Sequence, residues 1–84
     1  MITLETIREN ISKEIRNSGI SQTELARRLG IKQPTIGQYL SGRALPALDT
    51  FANLCVLLDV DPADILTTNK YTNSKSIQTD TITQ

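Results

Sequence analysis

Eighty-four residues, 38% of them hydrophobic, fit one small domain and leave no room for a second; such a chain buries only about 60% of the surface its unfolded form exposes, so modest stability is expected. Nine basic and nine acidic side chains give a net charge of zero, which at first argues against a polyanionic partner, since nucleic-acid binders are often strongly basic. A lone cysteine, Cys55, excludes an internal disulfide; the opening MITLETIREN lacks the order of a secretory signal, and Asp59 and Asp61 interrupt the longest apolar run well short of the roughly 20 residues of a membrane span, so a soluble cytoplasmic protein with no membrane partner is expected.

Leu4, Ile7, Ile11 and Ile15 recur at helical spacing and predict an amphipathic first helix that ends at Ser18 and Gly19. In ISQTELARRLG, Ser21 is placed to cap the Glu24 amide while Glu24 reaches back, and Ile20 and Leu25 occupy the two positions of a hydrophobic staple, so a second helix starts at Gln22. Gly30 follows its last apolar residue, Leu29, where a left-handed residue commonly ends a helix. A third helix is predicted from about Gln33 to Leu40, with Pro34 in the first turn and Ile36, Tyr39 and Leu40 inward.

SGRALPA leads into a fourth helix whose inward side is expected to carry Leu48, Phe51, Ala52, Cys55 and Leu58. VDPADIL is a helix start, with Asp61 as cap, Pro62 at the first position, and Val60 paired with Ile65 as a staple. After Leu66 the composition turns to Thr, Ser, Asn and Gln, too poor in apolar residues to offset ordering entropy. Residues 67–84 are therefore read as a disordered polar tail, the alternative being a strand that pairs with another chain.

Charge is polarised along the chain. Through Arg43, seven basic residues (Arg8, Lys13, Arg16, Arg27, Arg28, Lys32, Arg43) face four glutamates, whereas residues 44–66 hold four aspartates (Asp49, Asp59, Asp61, Asp64) and no base. Such polarity can orient a protein on an anion without net charge; the simpler alternative is charge scattered over solvated faces.

Two short helices joined by a turn with glycine at its head make a helix-turn-helix, and Gln22, Leu25, Ala26, Leu29, Gly30, Ile31, Ile36 and Tyr39 stand at its offsets. The stretch resembles the helix-turn-helix of lambdoid phage repressors and Cro, the XRE family, and the likeness extends over roughly residues 4 to 66. It implies an all-α, compact five-helix, lambda-repressor-like DNA-binding domain over residues 1–66, with Ala26 small so that the helices can approach and Gly30 making the turn. Lys32 and Ala47 depart from the family pattern, which commonly has a capping hydroxyl at both sites, and so leave the starts of the third and fourth helices open.

The resemblance also implies roles. Gln33 matches the base-reading glutamine, and its amide can both donate to and accept from an adenine edge. Gln22 matches the residue that touches a phosphate and braces that glutamine. Lys32 and Pro34 flank it, suited to a phosphate or guanine and to a thymine methyl respectively; Gln38 is the second reader, with Ser41 near the helix end. Thr35, Arg43 and the amides around Gly42 hold the DNA backbone. Gly37, between Gln33 and Gln38 and away from Ile36, would let the helix sit deeper against the bases; the alternative is a glycine merely tolerated on an exposed face, just as the glutamines could be ordinary solvated residues.

The inventory argues against an enzyme, for histidine is absent and Cys55 falls on a predicted buried face. Asp59, Asp61 and Asp64 lack the glycine and terminal glutamate of a calcium loop, so no metal or other cofactor is expected. The expected function is a sequence-specific double-stranded DNA-binding regulator, a repressor, working as a homodimer on a near-palindromic operator. The alternative is an antitoxin-type interaction module that neutralises a partner protein through its tail and also binds its own promoter.

Overall fold

The structure is a computed structural model and describes residues 1–67. It contains five α-helices in order: α1 (Leu4–Asn17), α2 (Gln22–Leu29), α3 (Gln33–Ser41), α4 (Leu48–Leu58) and α5 (Pro62–Leu66). The predicted all-α, five-helix architecture is therefore found, with α3 one residue longer than its pattern indicated. The polar tail assigned from sequence lies, apart from Thr67, outside the described residues.

Local chemistry explains most of the boundaries. Thr3 caps α1, its hydroxyl accepting from the Thr6 amide at 3.2 Å, a cap the apolar periodicity did not announce. Ser18 closes the helix: its hydroxyl donates to the Ile15 carbonyl at 2.6 Å and accepts from the Ile20 amide at 3.1 Å, tying the exit of α1 to the approach of α2. Ser21 accepts from the Glu24 amide at 3.1 Å, and Asp61 from the Ala63 amide at 3.0 Å, both as their sequences require. Neither Lys32 nor Ala47 supplies a side-chain cap, yet α3 and α4 begin immediately after them.

Three helices end in the same way, through one left-handed residue: Gly30 at φ 71°, Gly42 at φ 79° and Asp59 at φ 56°. In each, the next amide reaches back to a carbonyl five residues earlier, Ile31 to Ala26 at 3.0 Å, Arg43 to Gln38 at 3.0 Å and Val60 to Cys55 at 2.9 Å. Asp59 does this with a side chain, in a conformation that Asp tolerates better than most residues.

The core gathers Ile11 and Ile15 from α1, Leu25 and Ala26 from α2, Ile36 and Tyr39 from α3, Phe51, Leu54 and Cys55 from α4, and Ile65 from α5. Two polar groups stitch distant elements around it. Buried Ser12 donates to the Leu40 carbonyl at 2.8 Å, satisfying an acceptor in the last turn of α3, and Asn10 Nδ2 donates to the Ile65 carbonyl at 3.0 Å. Burial, with Asp61 a lesser influence, pushes the Cys55 thiol above its ordinary pKa and keeps it protonated in this core.

The expected inward face of α4 is corrected. Phe51, Cys55 and Leu58 do pack inward, but Leu48 is 84% exposed and Ala52 is exposed, while Leu54 is wholly buried. LDTFANLCVLL is apolar at nearly every rotation about its axis, so spacing alone does not choose a face; contact with α2 does. Replacing Leu54 by Ala should therefore cost about 2–5 kcal/mol in urea unfolding, whereas Leu48→Ala should stay within about 0.5 kcal/mol of the parent.

Candidate nucleic-acid interface

Helix α3 is held from one side only. Ile36 is fully buried, Tyr39 nearly so, and Leu40 packs partly against the same cluster. The opposite flank is free: Gln33, Pro34, Gln38 and Ser41 are exposed, as are Lys32 before the helix and Arg43 after it, while Thr35 and Gly37 are half-buried. Gln33, Gly37 and Ser41 follow at intervals of four residues and so line one edge of the helix, with Pro34 and Gln38 beside them. Polar side chains on this flank use few of their groups internally; the Ser41 hydroxyl donates to the Gln38 carbonyl at 3.2 Å.

Exposed Gln22, the first residue of α2, is brought to this flank. A Cβ built on Gly37 would lie 3.9 Å from Gln22 Oε1, an ordinary van der Waals distance, with nothing closer. Gly37 is therefore beside Gln22, and nothing among the described residues forbids an alanine there. Its backbone is not among the positive-φ residues either. Gly37 thus differs from Gly30 and Gly42, whose left-handed conformations account for them.

Glu24 organises the charge of α2. The sequence suggested that its carboxylate would return to the start of the helix; instead its Oε1 accepts from Arg27 Nε at 3.0 Å, and its Oε2 from Arg28 Nε at 2.6 Å and from a second Arg27 nitrogen. Two guanidinium groups three and four residues on outcompete one backbone amide because both partners of those bonds are ionised and three bonds form in place of one. The hydrogen bonds from Arg27, then from Arg28, lower the Glu24 pKa from 4.5 to about 2. Lys32 and Arg43, at the two ends of α3, take part in no ion pair among the described residues and remain the cations beside the exposed flank.

One feature of this region escaped the sequence. Arg8, Ser12 and Arg16 form a stripe along α1 at four-residue spacing, and together with Leu40, Ser41 and Gly42 they line a groove of about 320 Å³ between α1 and the end of α3. Glu5 and Glu9 line it too, yet neither arginine forms an ion pair with them, and Arg8 Nε is buried without a hydrogen-bond partner among the described residues. The spacing was visible in the chain; that it borders α3 depends on the Ser12 to Leu40 hydrogen bond.

Comparison with known proteins agrees with this geometry. The family profile described as helix-turn-helix matches residues 13–65. Over 41 residues, 49% of this chain, the sequence is 42% identical to the HTH-type transcriptional regulator for conjugative element R391 of Providencia rettgeri and, equally, to that for element SXT of Vibrio cholerae. The matched stretch covers 19% of each of those relatives. No solved structure matches.

Because the folded-state pKa of Glu24 lies below its unfolded value, the carboxylate stabilises the fold at neutral pH, and that contribution is lost as pH falls from about 4.5 towards 2. A Glu24→Gln variant should accordingly lose part of the acid dependence of its thermal midpoint across that window, and the gap between variant and parent should narrow at the acid end.

Proposed function

Since the chain belongs to the XRE-type helix-turn-helix family, we propose that it is a sequence-specific double-stranded DNA-binding transcriptional regulator that reads the major groove with α3. The observation that carries this reading is the flank of α3, where Gln33 and Gln38 are exposed around a glycine that packing among the described residues does not require. In an isolated domain, a glycine inside a helix costs about 1 kcal/mol relative to Ala with no return. Against a base-pair edge, the missing side chain lets the helix backbone come closer.

In this reading the contacts divide by chemistry. Gln33 and Gln38 hydrogen-bond base edges, Pro34 meets a thymine methyl, and Lys32 and Ser41 complete the base-reading row around Gly37. Gln22, Thr35 and Arg43 hold phosphates and fix the register without reading sequence. A helix of nine residues spans few base pairs, so selectivity comes from two copies on a near-palindrome with half-sites about one helical turn apart. Occupying promoter DNA in this way represses transcription and needs only a DNA-binding surface, and the HTH-type regulators of conjugative elements that share the motif are in keeping with such a role.

Binding measurements with the selected operator and with random duplex test the division of roles. Gln38→Ala should weaken the operator by about 1–3 kcal/mol and leave random DNA unchanged, whereas Arg43→Ala should weaken both and reduce the salt slope by about one. Equal losses on both duplexes for Gln38→Ala would remove it from the base-reading row. Gly37→Ala should act with opposite signs, raising stability by about 0.5–1 kcal/mol in urea unfolding while weakening the operator complex. An alanine variant that binds as tightly as the parent would leave Gly37 without a role in the groove.

A further inference from the structure

Helix α1 carries two cations that the reading of α3 leaves without a task. Arg8 and Arg16 line the groove of about 320 Å³ between α1 and the end of α3, and neither forms an ion pair among the described residues. Arg16 has no carboxylate within helical reach, for Ser12 and Lys13 stand four and three residues before it and α1 ends at Asn17. Arg8 does have one. Glu5 stands three residues before it, at the spacing by which Glu24 holds Arg27, yet no pair forms. Among the described residues, Arg8 Nε is also the only buried side-chain nitrogen or oxygen without a hydrogen-bond partner. A buried donor left in that state is costly, and an anion seated in the groove gives this guanidinium the acceptor that those residues do not provide.

We propose that this groove is a phosphate-binding site and that its ligand is the DNA backbone beyond the bases that α3 faces. Position favours DNA over a free phosphorylated molecule. Ser41, at the end of the exposed flank of α3, and Gly42 line the groove as well, and Arg43 follows them, so a strand held at Arg43 continues past Ser41 towards Arg16 and Arg8. Ser12 fixes the register of the two helices by donating to the Leu40 carbonyl at 2.8 Å. Eight residues of rise set the arginines about 12 Å apart along α1, far enough for each to meet its own phosphate.

The side chains suit the task unequally. An arginine fork grips two phosphate oxygens at once. Glu5 and Glu9 stand beside Arg8 and repel a strand there, so Arg16 is the stronger contact and the glutamates mark where the strand leaves the domain. Arg8 lies outside residues 13–65, the stretch matched by the helix-turn-helix profile, so the pair extends the DNA-facing surface beyond that motif. The path of the strand rests on the operator reading above; the attraction of the groove for phosphate does not.

Salt dependence of binding by the full chain, on the selected operator and on random duplex, tests the site. Arg16→Ala, at an exposed position, should weaken both duplexes alike, by roughly threefold or more, and lower the slope of log affinity against log salt by about 0.9. Lys13→Ala removes an exposed α1 cation outside the groove and should leave the slope unchanged. Glu9→Gln should tighten both duplexes, a gain that damage to the fold cannot mimic. In spectra of the labelled chain, the Nε resonances of Arg8 and Arg16 should shift when duplex is added. A parent-like slope for Arg16→Ala, or an equal reduction for Lys13→Ala, would overturn the proposal. So would Nε resonances that shift with inorganic phosphate and not with duplex, since the groove would then serve a free anion. A chain that prefers no DNA sequence, yet loses slope on random duplex with Arg16→Ala, would uphold the groove and refute the operator reading.

Discussion

Leu25 and Ala26 of α2 and Ile36 and Tyr39 of α3 share one buried cluster, and the Gly30 turn holds the two helices close enough for them to do so. The rest of the domain depends on this junction. Ala26 is small enough to let the helix axes approach, and left-handed Gly30 reverses the chain within a few residues. With Ile36 sealed in, rotation of α3 about its own axis would expose a fully buried side chain, so the opposite flank is fixed in direction as firmly as the core is packed. Ser12 adds a second constraint from α1 by donating to the Leu40 carbonyl, which holds the far end of α3.

The parts of the fold legible in the sequence are those governed by local chemistry. Ser21 and Asp61 cap the helices they were expected to cap, Gly30 turns left-handed where the apolar pattern stops, and Leu25, Ile36 and Tyr39 fall on the inward faces that their spacing gives. Legibility failed where several local solutions were equally good. Helix α4 is apolar all round, so Leu54 and Leu48 exchanged places relative to expectation, and only contact with α2 decides between them. Glu24 had a backbone amide and two arginines within reach, and the arginines won because both partners of their bonds are ionised.

The candidate site divides along the same line. That Gln33, Gln38 and Arg43 are exposed together follows from the helical period once Ile36 is known to be inside. That Gln22 reaches Gly37, and that the arginine stripe of α1 borders Ser41 and Gly42, depends on contacts between elements remote in sequence. Charge shows the value of the fold most clearly: in a chain with no net charge, Lys32 and Arg43 at the ends of α3 have no ion pair among the described residues, while Glu24 ties up Arg27 and Arg28.

The direct measurement of whether the outer flank of α3 meets DNA is a nuclear magnetic resonance titration of the isotope-labelled chain with a duplex selected from random sequence. Resonances of Gln22, of Lys32 to Ser41 and of Arg43 should shift on binding, while the Leu54 and Ile65 methyls of the core stay where they are. Shifts confined to the acidic half of the domain, from Asp49 to Asp64, or no selected duplex at all, would contradict the account.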